Sequence, residues 1–213
     1  MIEYKSQKFN ERISTYFCTK VSIMTITINS NKGWQVVENK GKLGVADKNG
    51  NLLCPAKYSY IRYFSHGMAP VCLKKSKFGK EQWGIINEKF EETLFSESYE
   101  DVEVCNSKFL AVKVKVNKKE SKWGIIKKSG EILCPPKYDE CPEKIGDGLF
   151  VVKIDGKCAL IDENGRQICK AKYTHILTSN AEVGIFVGYR GGNYYRMNKN
   201  GIELNMYTRK SFL

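Results

Sequence analysis

Histidine and long apolar runs are scarce in this chain of 213 residues. The two histidines, His66 and His175, fall at different offsets of a repeated block, so a Cys-His nucleophile pair is not expected. No apolar run approaches the roughly 20 residues that span a bilayer. The start of the chain, Met1–Lys5, has no basic region followed by an apolar core, which gives no indication of secretion. We therefore expect a cytoplasmic protein without a membrane span.

The eight cysteines lack the spacing of a metal site. No Cys-x-x-Cys pair occurs, which excludes the usual zinc motifs. Cys54, Cys134 and Cys169 occupy one repeated slot, ten residues after the glycine position of the block, where another copy has Leu94. Such a slot is typical of a small buried hydrophobic residue. We expect buried thiols at matching positions, without disulfides or metal, and no cofactor.

A block of about 40 residues recurs along the chain. One copy reads Trp123-Gly124-Ile125-Ile126, followed by Pro135-Pro136-Lys137-Tyr138-Asp139. The intervals between glycine positions are 40, 40, 35 and 36 residues, counted along Gly44, Gly84, Gly124, Ala159 and Tyr195. A period of this size indicates a tandem repeat with one supersecondary unit per copy.

Each copy predicts four short antiparallel strands. The apolar run after the aromatic-Gly pair stops at a turn dipeptide such as Asn49-Gly50, which supplies a positive φ. The next strand runs into Pro55 or Pro135, and proline cannot donate to a ladder, so pairing should end there. A tyrosine segment and a Phe/Val segment supply two more strands. Trp83 and Trp123 should be largely buried at equivalent places in successive sheets.

The repeated block resembles a known family. Aromatic-Gly-[IV]-[IV]-[DN]-x-x-Gly, then Pro-x-Lys-Tyr-Asp, then a Gly-[LM]-[AF]-[PV]-Val strand, is similar to the WG (or KWG) β-repeat of bacterial proteins. The resemblance covers residues 33–204, with 1–32 as an N-terminal cap segment and 205–213 as a C-terminal tail. It implies an all-β fold of tandem antiparallel β-meanders and no assigned chemistry. The tryptophan is replaced by Leu43, Cys158 and Tyr194, and the glycine by Ala159 and Tyr195.

The two ends of the chain favour a propeller-like ring of about five units. The chain enters the repeat at Trp34–Val37, in the Phe/Val-strand position, and leaves it after Leu204. The two half units would together form one composite unit that closes the ring. An open β-repeat stack with half-unit caps is the alternative. Val21–Ile28 predicts one further strand, and Met1–Phe17 predicts a short helix or a frayed cap.

Lysine dominates the charge of the chain. There are 35 basic and 23 acidic residues, a net charge of +12, and 29 of the basic residues are lysine. Lysine favours diffuse attraction to anions over bidentate recognition. Lysines of two connecting hairpins form a candidate basic interaction patch: Lys74, Lys75, Lys77, Lys80, Lys118, Lys119 and Lys122. Exposed lysines also protect sheet edges from aggregation, which would explain the same residues without a ligand.

The leading interpretation is a non-catalytic binding or scaffold repeat protein with a protein partner. Strands, turns and core account for all of the recurrent residues, and repeat arrays commonly present binding surfaces. The alternative is a basic module that binds nucleic acid or another anionic polymer weakly and without sequence selectivity. The sequence predicts no catalytic, cofactor-binding or metal-binding residues, and therefore no enzyme.

Overall fold

The computed structural model describes residues 22–29, 31–74, 81–146, 148–180 and 184–208. Within these ranges the regular structure is all β, with five sheets of four consecutive strands each. The predicted tandem antiparallel meanders, about five in number, are thereby confirmed. The choice between a ring and an open stack stays a prediction. The segment Met1–Phe17, for which we expected a helix or a cap, lies outside the described residues.

Sheet 1 contains β1 (Ser22–Asn29), β2 (Trp34–Asn39), β3 (Lys42–Ala46) and β4 (Leu52–Tyr58). Sheet 2 contains β5 (Tyr60–Ile61), β6 (Met68–Lys74), β7 (Glu81–Asn87) and β8 (Glu92–Leu94). Sheet 3 contains β9 (Asp101–Val104), β10 (Phe109–Lys115), β11 (Ser121–Lys127) and β12 (Ile132–Tyr138). Sheet 4 contains β13 (Glu143–Ile145), β14 (Leu149–Ile154), β15 (Lys157–Asp162) and β16 (Gln167–Tyr173). Sheet 5 contains β17 (His175–Asn180), β18 (Ile185–Arg190), β19 (Asn193–Asn198) and β20 (Glu203–Thr208).

The described residues divide into two compact units. Unit 1 takes the described residues up to 74 together with 84–92, and unit 2 takes 81–83 and the described residues from 93 onward. The core of unit 1 includes Val45, Tyr58 and Ile86. Unit 2 has one apolar cluster around Phe150, between sheets 3 and 4, and another around Phe186, between sheets 4 and 5.

The predicted composite end unit is wrong. Sheet 1 is complete without any strand from the other end of the chain, because the segment before Trp34 forms β1. Sheet 5 is likewise complete, since β20 continues to Thr208. The predicted strand at Val21–Ile28 is confirmed as Ser22–Asn29. Both end sheets therefore include residues beyond 33–204.

The prolines do not end strand pairing as the sequence predicted. β4 passes through Pro55, and Leu43 pairs with Tyr58 although Val45 pairs with Cys54. Four residues of β4 thus face two of β3, which is a bulge. β4 is the outer strand of its sheet, where a missing N–H breaks no ladder bond on the solvent side. β12 repeats the bulge around Pro135 and Pro136.

Where the bulged strand contains proline, its close approach explains the glycine of the repeat. The bulge of β16 has the same register but no proline, and the residue opposite it is Ala159. A Cβ on Gly44 would lie 2.5 Å from the carbonyl oxygen of Cys54 and 2.8 Å from the nitrogen of Ala56. A Cβ on Gly124 would lie 2.7 Å from the carbonyl oxygen of Cys134. The bulged backbone crosses directly over the preceding strand at this point, and a side chain there would collide with backbone atoms.

The turns after the aromatic-Gly strands are hairpin turns stabilised by the residue that precedes them. The Oδ1 atom of Asp47 accepts hydrogen bonds from the N–H groups of Asn49 and Asn51, both at 2.8 Å. The predicted positive φ is confirmed, with Gly50 at 85°. Sheet 2 has Phe90 at the corresponding place, and its φ of 62° is unusual for an aromatic residue. Its ring packs against Trp34 at a centroid distance of 4.9 Å, which offsets that strain.

The turn glycines of unit 2 pack onto the repeated cysteine slot of the preceding sheet. A Cβ on Gly165 would lie 2.9 Å from the sulfur of Cys134, and one on Gly201 would lie 3.0 Å from the Cβ of Cys169. In the same way, a Cβ on Gly130 would lie 3.3 Å from the ring of Phe95, so glycine leaves room for the residue beneath the turn. In sheet 2 the buried residue at the cysteine slot is Phe95. Leu94, which the sequence predicted at this slot, is exposed. The copy lacks the two prolines, and its inward position is displaced by one residue.

A tyrosine at the end of the outer strand connects neighbouring sheets. The hydroxyl of Tyr58 donates to Glu92 at 2.6 Å, and Lys57 pairs with the same carboxylate at 2.7 Å. Burial alone would raise the pKa of Glu92, but the hydrogen bonds from Lys57 and Tyr58 outweigh it and the pKa is lowered. Tyr173 donates to Glu203 in the same way. Burial, followed by these carboxylates, raises the pKa of both tyrosines.

Tyr138 is the equivalent tyrosine of sheet 3 and has no carboxylate. Its side chain is fully buried, and its hydroxyl has no well-formed hydrogen bond among the described residues. Burial, and then the neighbouring thiol of Cys134, raise the pKa of Tyr138. Glu92 is the first residue of β8, and Glu203 is the first residue of β20. The residue at the corresponding position of β16 is Gln167. The Gln167 amide donates instead to the carbonyl of Cys169 at 3.1 Å.

Gln167→Glu should stabilise the protein by about 1 kcal/mol, because a buried hydroxyl gains a charged acceptor. The new carboxyl should have a lowered pKa when folded, like Glu92. Its contribution would then be present above the unfolded pKa of about 4.3 and be lost as the pH falls through the folded pKa. Urea unfolding at pH 7 and pH 3 measures both effects. In a Tyr138→Phe background the gain should vanish, and a gain that persists there contradicts the assignment.

Candidate functional site

Trp123 opens onto a surface cleft in unit 2. The cleft has a volume of about 390 Å³ and lies between β9, β11 and the segment that leads into β13. Its lining combines one large aromatic ring with acidic groups and two thiols: Asp101, Glu103, Val104, Cys105, Trp123, Cys141, Pro142, Glu143 and Lys144. An aromatic ring among a few convergent polar groups is typical of a binding site.

The two repeated tryptophans differ in burial. Trp83 is buried, with 5% of its surface exposed, as predicted. Trp123 is partly buried: it packs against the apolar cluster around Phe150, and its burial is less complete than that of Trp83. The neighbours of Trp123 in β9 and at the start of β13 are mainly polar, so they line an open cleft and do not close an apolar layer over the indole. Lys113, its cross-strand partner, holds its Nζ 5.9 Å from the ring centroid.

Lys144 contributes little positive charge to the open side of the cleft. Its Nζ donates to the carbonyl of Ile145 at 2.9 Å and lies 5.7 Å from the centroid of the Phe150 ring. It also lies 3.9 Å from a carboxylate oxygen of Glu163. The lysine is therefore held by partners of its own, and the lining is acidic in a chain whose net charge is +12.

Two thiols meet at one wall of the cleft. The sulfur of Cys105 lies 3.9 Å from the carbonyl oxygen of Pro142, and the sulfur of Cys141 lies 3.8 Å from the same oxygen. Cys141 is exposed, and Cys105 is half-buried. Burial, and then the neighbouring Cys141, raise the pKa of Cys105 to about 12. Sequence spacing could not reveal this pair, because 35 residues separate the two positions.

A second, more polar cleft lies in unit 1. It has a volume of about 450 Å³ and is lined by Thr27, Ile28, Asn29, Asn31, Tyr63, Phe64, His66, Gly67 and Glu88. The Oγ of Ser65 lies 2.8 Å from Nδ1 of His66. Glu88 is paired with Lys32 at 2.8 Å. The residues that line this cleft include no cysteine, so the cleft does not provide His66 with a thiol for a nucleophile pair.

The predicted basic patch is only partly visible. Lys75, Lys77 and Lys80 lie outside the described residues, and Lys74 is the last residue of β6. Lys118 and Lys119 are exposed in the turn between β10 and β11. Lys122 lies in β11 and is neutralised by two carboxylates, Asp139 and Glu120, each at 2.7 Å. These hydrogen bonds raise the pKa of Lys122. The patch stays a prediction, with Lys122 engaged inside the protein.

Replacing Lys118 and Lys119 by glutamate should weaken retention on a DNA column. If both contact phosphates, the slope of log affinity against log salt should flatten by about one for each lysine. Elution across a salt gradient measures it. The variant Lys157→Glu with Lys170→Glu changes the net charge equally at two other exposed lysines. An equal loss of retention in both double variants would show that retention depends on net charge alone and that no patch exists.

The repeated thiols occupy the predicted positions. Cys54, Cys134 and Cys169 are buried, and each pairs across the ladder at the same place, with Val45, Ile125 and Leu160. Burial raises the pKa of Cys54 and of Cys169. The predicted packing role is confirmed for all three. Among the residues that the structure describes, no three His, Cys, Asp or Glu side chains are grouped to hold a metal ion.

No helix in the described part of the chain has the length and apolar character to cross a lipid bilayer. The architecture defines an all-β repeat protein built from four-stranded antiparallel meanders. A family model for the WG containing repeat matches residues 44–77 and 123–158. The predicted resemblance to the WG repeat is therefore confirmed at these two places, and its extent over residues 33–204 stays a prediction. No curated protein matches the chain in sequence.

Several solved structures align with most of the chain at low identity. Hsv2 of Kluyveromyces marxianus has 9% identity and a TM-score of 0.41, with 85% of this chain and 60% of that chain covered. A eukaryotic initiation factor has 8% identity and a TM-score of 0.40, covering 84% and 63%. A putative TolB from Agrobacterium tumefaciens has 13% identity and a TM-score of 0.40, covering 84% and 76%. The chain thus spans about 60% of the length of the first two.

Proposed function

We propose that the chain is a non-catalytic binding or scaffold repeat protein that holds a partner protein at the Trp123 cleft. The observation that carries the proposal is the difference between the two repeated tryptophans. Trp83 is buried, whereas Trp123 at the equivalent position is half-buried and lines a cleft of about 390 Å³. A partly exposed tryptophan in a concave site is a frequent anchor of protein interfaces.

The chemistry of the cleft favours a segment with an apolar and a cationic group. The indole ring offers an apolar face, and Asp101, Glu103 and Glu143 give the lining a negative character. A basic side chain of the partner would be attracted both by the carboxylates and by the electron-rich face of the ring. Sheet 3 supplies rigid support, since β11 is the third strand of a four-stranded meander and is paired on both sides.

Affinity capture with the full chain tests this function. Wild-type protein, Trp123→Ala and Leu177→Ala would be immobilised, and proteins retained from lysate would be quantified by mass spectrometry. Leu177 is an exposed apolar residue of unit 2 outside the cleft. We expect at least one protein to be retained equally by wild type and Leu177→Ala and about tenfold less by Trp123→Ala. Thermal unfolding ensures that all three are folded. Identical capture by all three contradicts the proposal.

The basic module for nucleic acid or another anionic polymer is the second candidate. Exposed Lys118 and Lys119 favour it, whereas the ion pairs of Lys122 count against it. We expect binding that is weak and independent of sequence, because lysine in turns reads phosphate and not bases. We also propose a cytoplasmic location, a bacterial source and no enzymatic activity, as the sequence indicated.

A further inference from the structure

Cys105 and Cys141 are set apart from the other cysteines by their position. Cys54, Cys72, Cys134, Cys158 and Cys169 are buried in the described part of the chain. Neither Cys105 nor Cys141 falls in the repeated cysteine slot. Both lie in segments between strands, Cys105 after β9 and Cys141 after β12, and both line the Trp123 cleft. Packing of the repeat therefore does not account for them.

The two thiols also lie beside the same backbone atom. Their sulfurs lie 3.9 and 3.8 Å from one atom, the carbonyl oxygen of Pro142. Each thiol is held in a segment between strands, where a small shift of backbone costs less than in a paired strand. Disulfide formation requires the two Cβ atoms to approach to roughly 4 Å. A shift within these two connecting segments would meet that requirement without breaking a sheet.

We propose that Cys105 and Cys141 form a peroxide-sensitive dithiol that closes to a disulfide at the wall of the Trp123 cleft. The proposal concerns the thiols alone and stands whether or not the cleft binds a partner protein. Pairs of this kind in reducing compartments are typically transient and sense oxidants. The exposed thiol would react first and the half-buried thiol would resolve the product, which is the usual order in redox-sensor pairs.

The reaction balances with hydrogen peroxide as the oxidant. The Cys141 thiolate attacks one peroxide oxygen, the O–O bond breaks, and the other oxygen leaves as hydroxide, which takes up a proton to give water. Cys141 is then a sulfenic acid. The Cys105 sulfur attacks the Cys141 sulfur, the S–O bond breaks, and the departing hydroxide takes the Cys105 proton. Two thiols and one peroxide thus give one disulfide and two waters.

The differing environments of the two thiols support this order of events. Burial raises the pKa of Cys105 to about 12, so its thiol is protonated at neutral pH and is a poor first nucleophile. Cys141 is exposed and accessible to a small oxidant. The resolving step is then local, because the Cys105 sulfur already lies beside the segment that carries Cys141.

Oxidation of the reduced full chain with hydrogen peroxide tests the pair. Wild type should lose two of its eight thiols in a fast phase, with a mass loss of two hydrogens, and peptide mapping should link Cys105 to Cys141. A thiol reductant should restore all eight. In Cys141→Ser the fast phase should be at least about tenfold slower. In Cys105→Ser the reaction should stop at a sulfenic acid on Cys141, which a dimedone adduct identifies.

Cys18→Ser is the control, since it removes one thiol that has no part in the proposed pair, and the fast phase should persist in it. Cys141 is exposed, so Cys141→Ser should fold, and circular dichroism checks every variant. A link from Cys141 to Cys18, or from Cys141 to a second chain in place of Cys105, overturns the proposal. So does a fast phase that is unchanged in Cys141→Ser.

Discussion

Trp83→Ala should lower the free energy of unfolding by about 3–5 kcal/mol, because it empties a buried aromatic site. Trp123→Ala should cost only about 1–2 kcal/mol, because the Trp123 side chain is only partly buried. The two residues occupy the same position of the repeat, so one serves as the matched comparison for the other. Chemical denaturation of both variants, with the same buffer and probe, gives the two values.

Equal losses for the two tryptophans would contradict this expectation. A loss of more than about 3 kcal/mol in Trp123→Ala would mean that the cleft is closed in solution and that the ring is part of the core. Trp123→Phe further separates the contribution of Trp123 to packing from its role as an anchor for a partner. It retains an aromatic ring at the base of the cleft, and we expect its stability to lie within about 1 kcal/mol of wild type.

Gly44→Ala should destabilise the protein by about 3 kcal/mol, at the upper end of the range for overpacking. The new Cβ would meet three backbone atoms of the bulge, at 2.5, 2.8 and 2.9 Å, and backbone cannot rotate away as a flexible side chain can. Relief requires β4 to separate from β3, which breaks the pairing of Leu43 with Tyr58. Thermal and urea unfolding measure the effect.

Ala159 offers the natural control for this substitution. It stands at the glycine position of the fourth copy, in β15, where a Cβ is tolerated and the partner strand has no proline. Ala159→Gly should cost about 1 kcal/mol, mainly through backbone entropy. If Gly44→Ala costs no more than that, the bulge is not the reason for the glycine of the repeat.

The period of the sequence predicted most of the fold because each unit repeats the same local physics. The intervals between Gly44, Gly84 and Gly124 gave the number of sheets, and Asn-Gly dipeptides gave the turns. The prolines misled the prediction, since proline is excluded from inner strands but tolerated in the outer strand of a sheet. Whether a strand is inner or outer depends on the order of strands in the sheet. The spacing of residues in the sequence does not reveal that order.

The candidate site was far less accessible from the sequence. A repeat pattern predicts what is common to all copies, and the cleft exists because one copy departs from the pattern. Trp123 has the residue type of a core position, and only the polar neighbours from β9 and the segment before β13 leave it open. Cys105 and Cys141 are close in space through pairing of strands that are distant in sequence. The basic patch, in contrast, was predicted from the local clustering of lysines, and this clustering does not reveal the acid partners of Lys122.

The thiols beneath the turn glycines can report how often neighbouring sheets separate locally. Cys134 lies under Gly165, and Cys169 lies under Gly201, each at a separate junction between neighbouring sheets. An alkylating reagent can reach either sulfur only when its own junction separates. The rate at which each cysteine is labelled then reports the opening free energy of one junction, measured in the native protein and without any introduced probe.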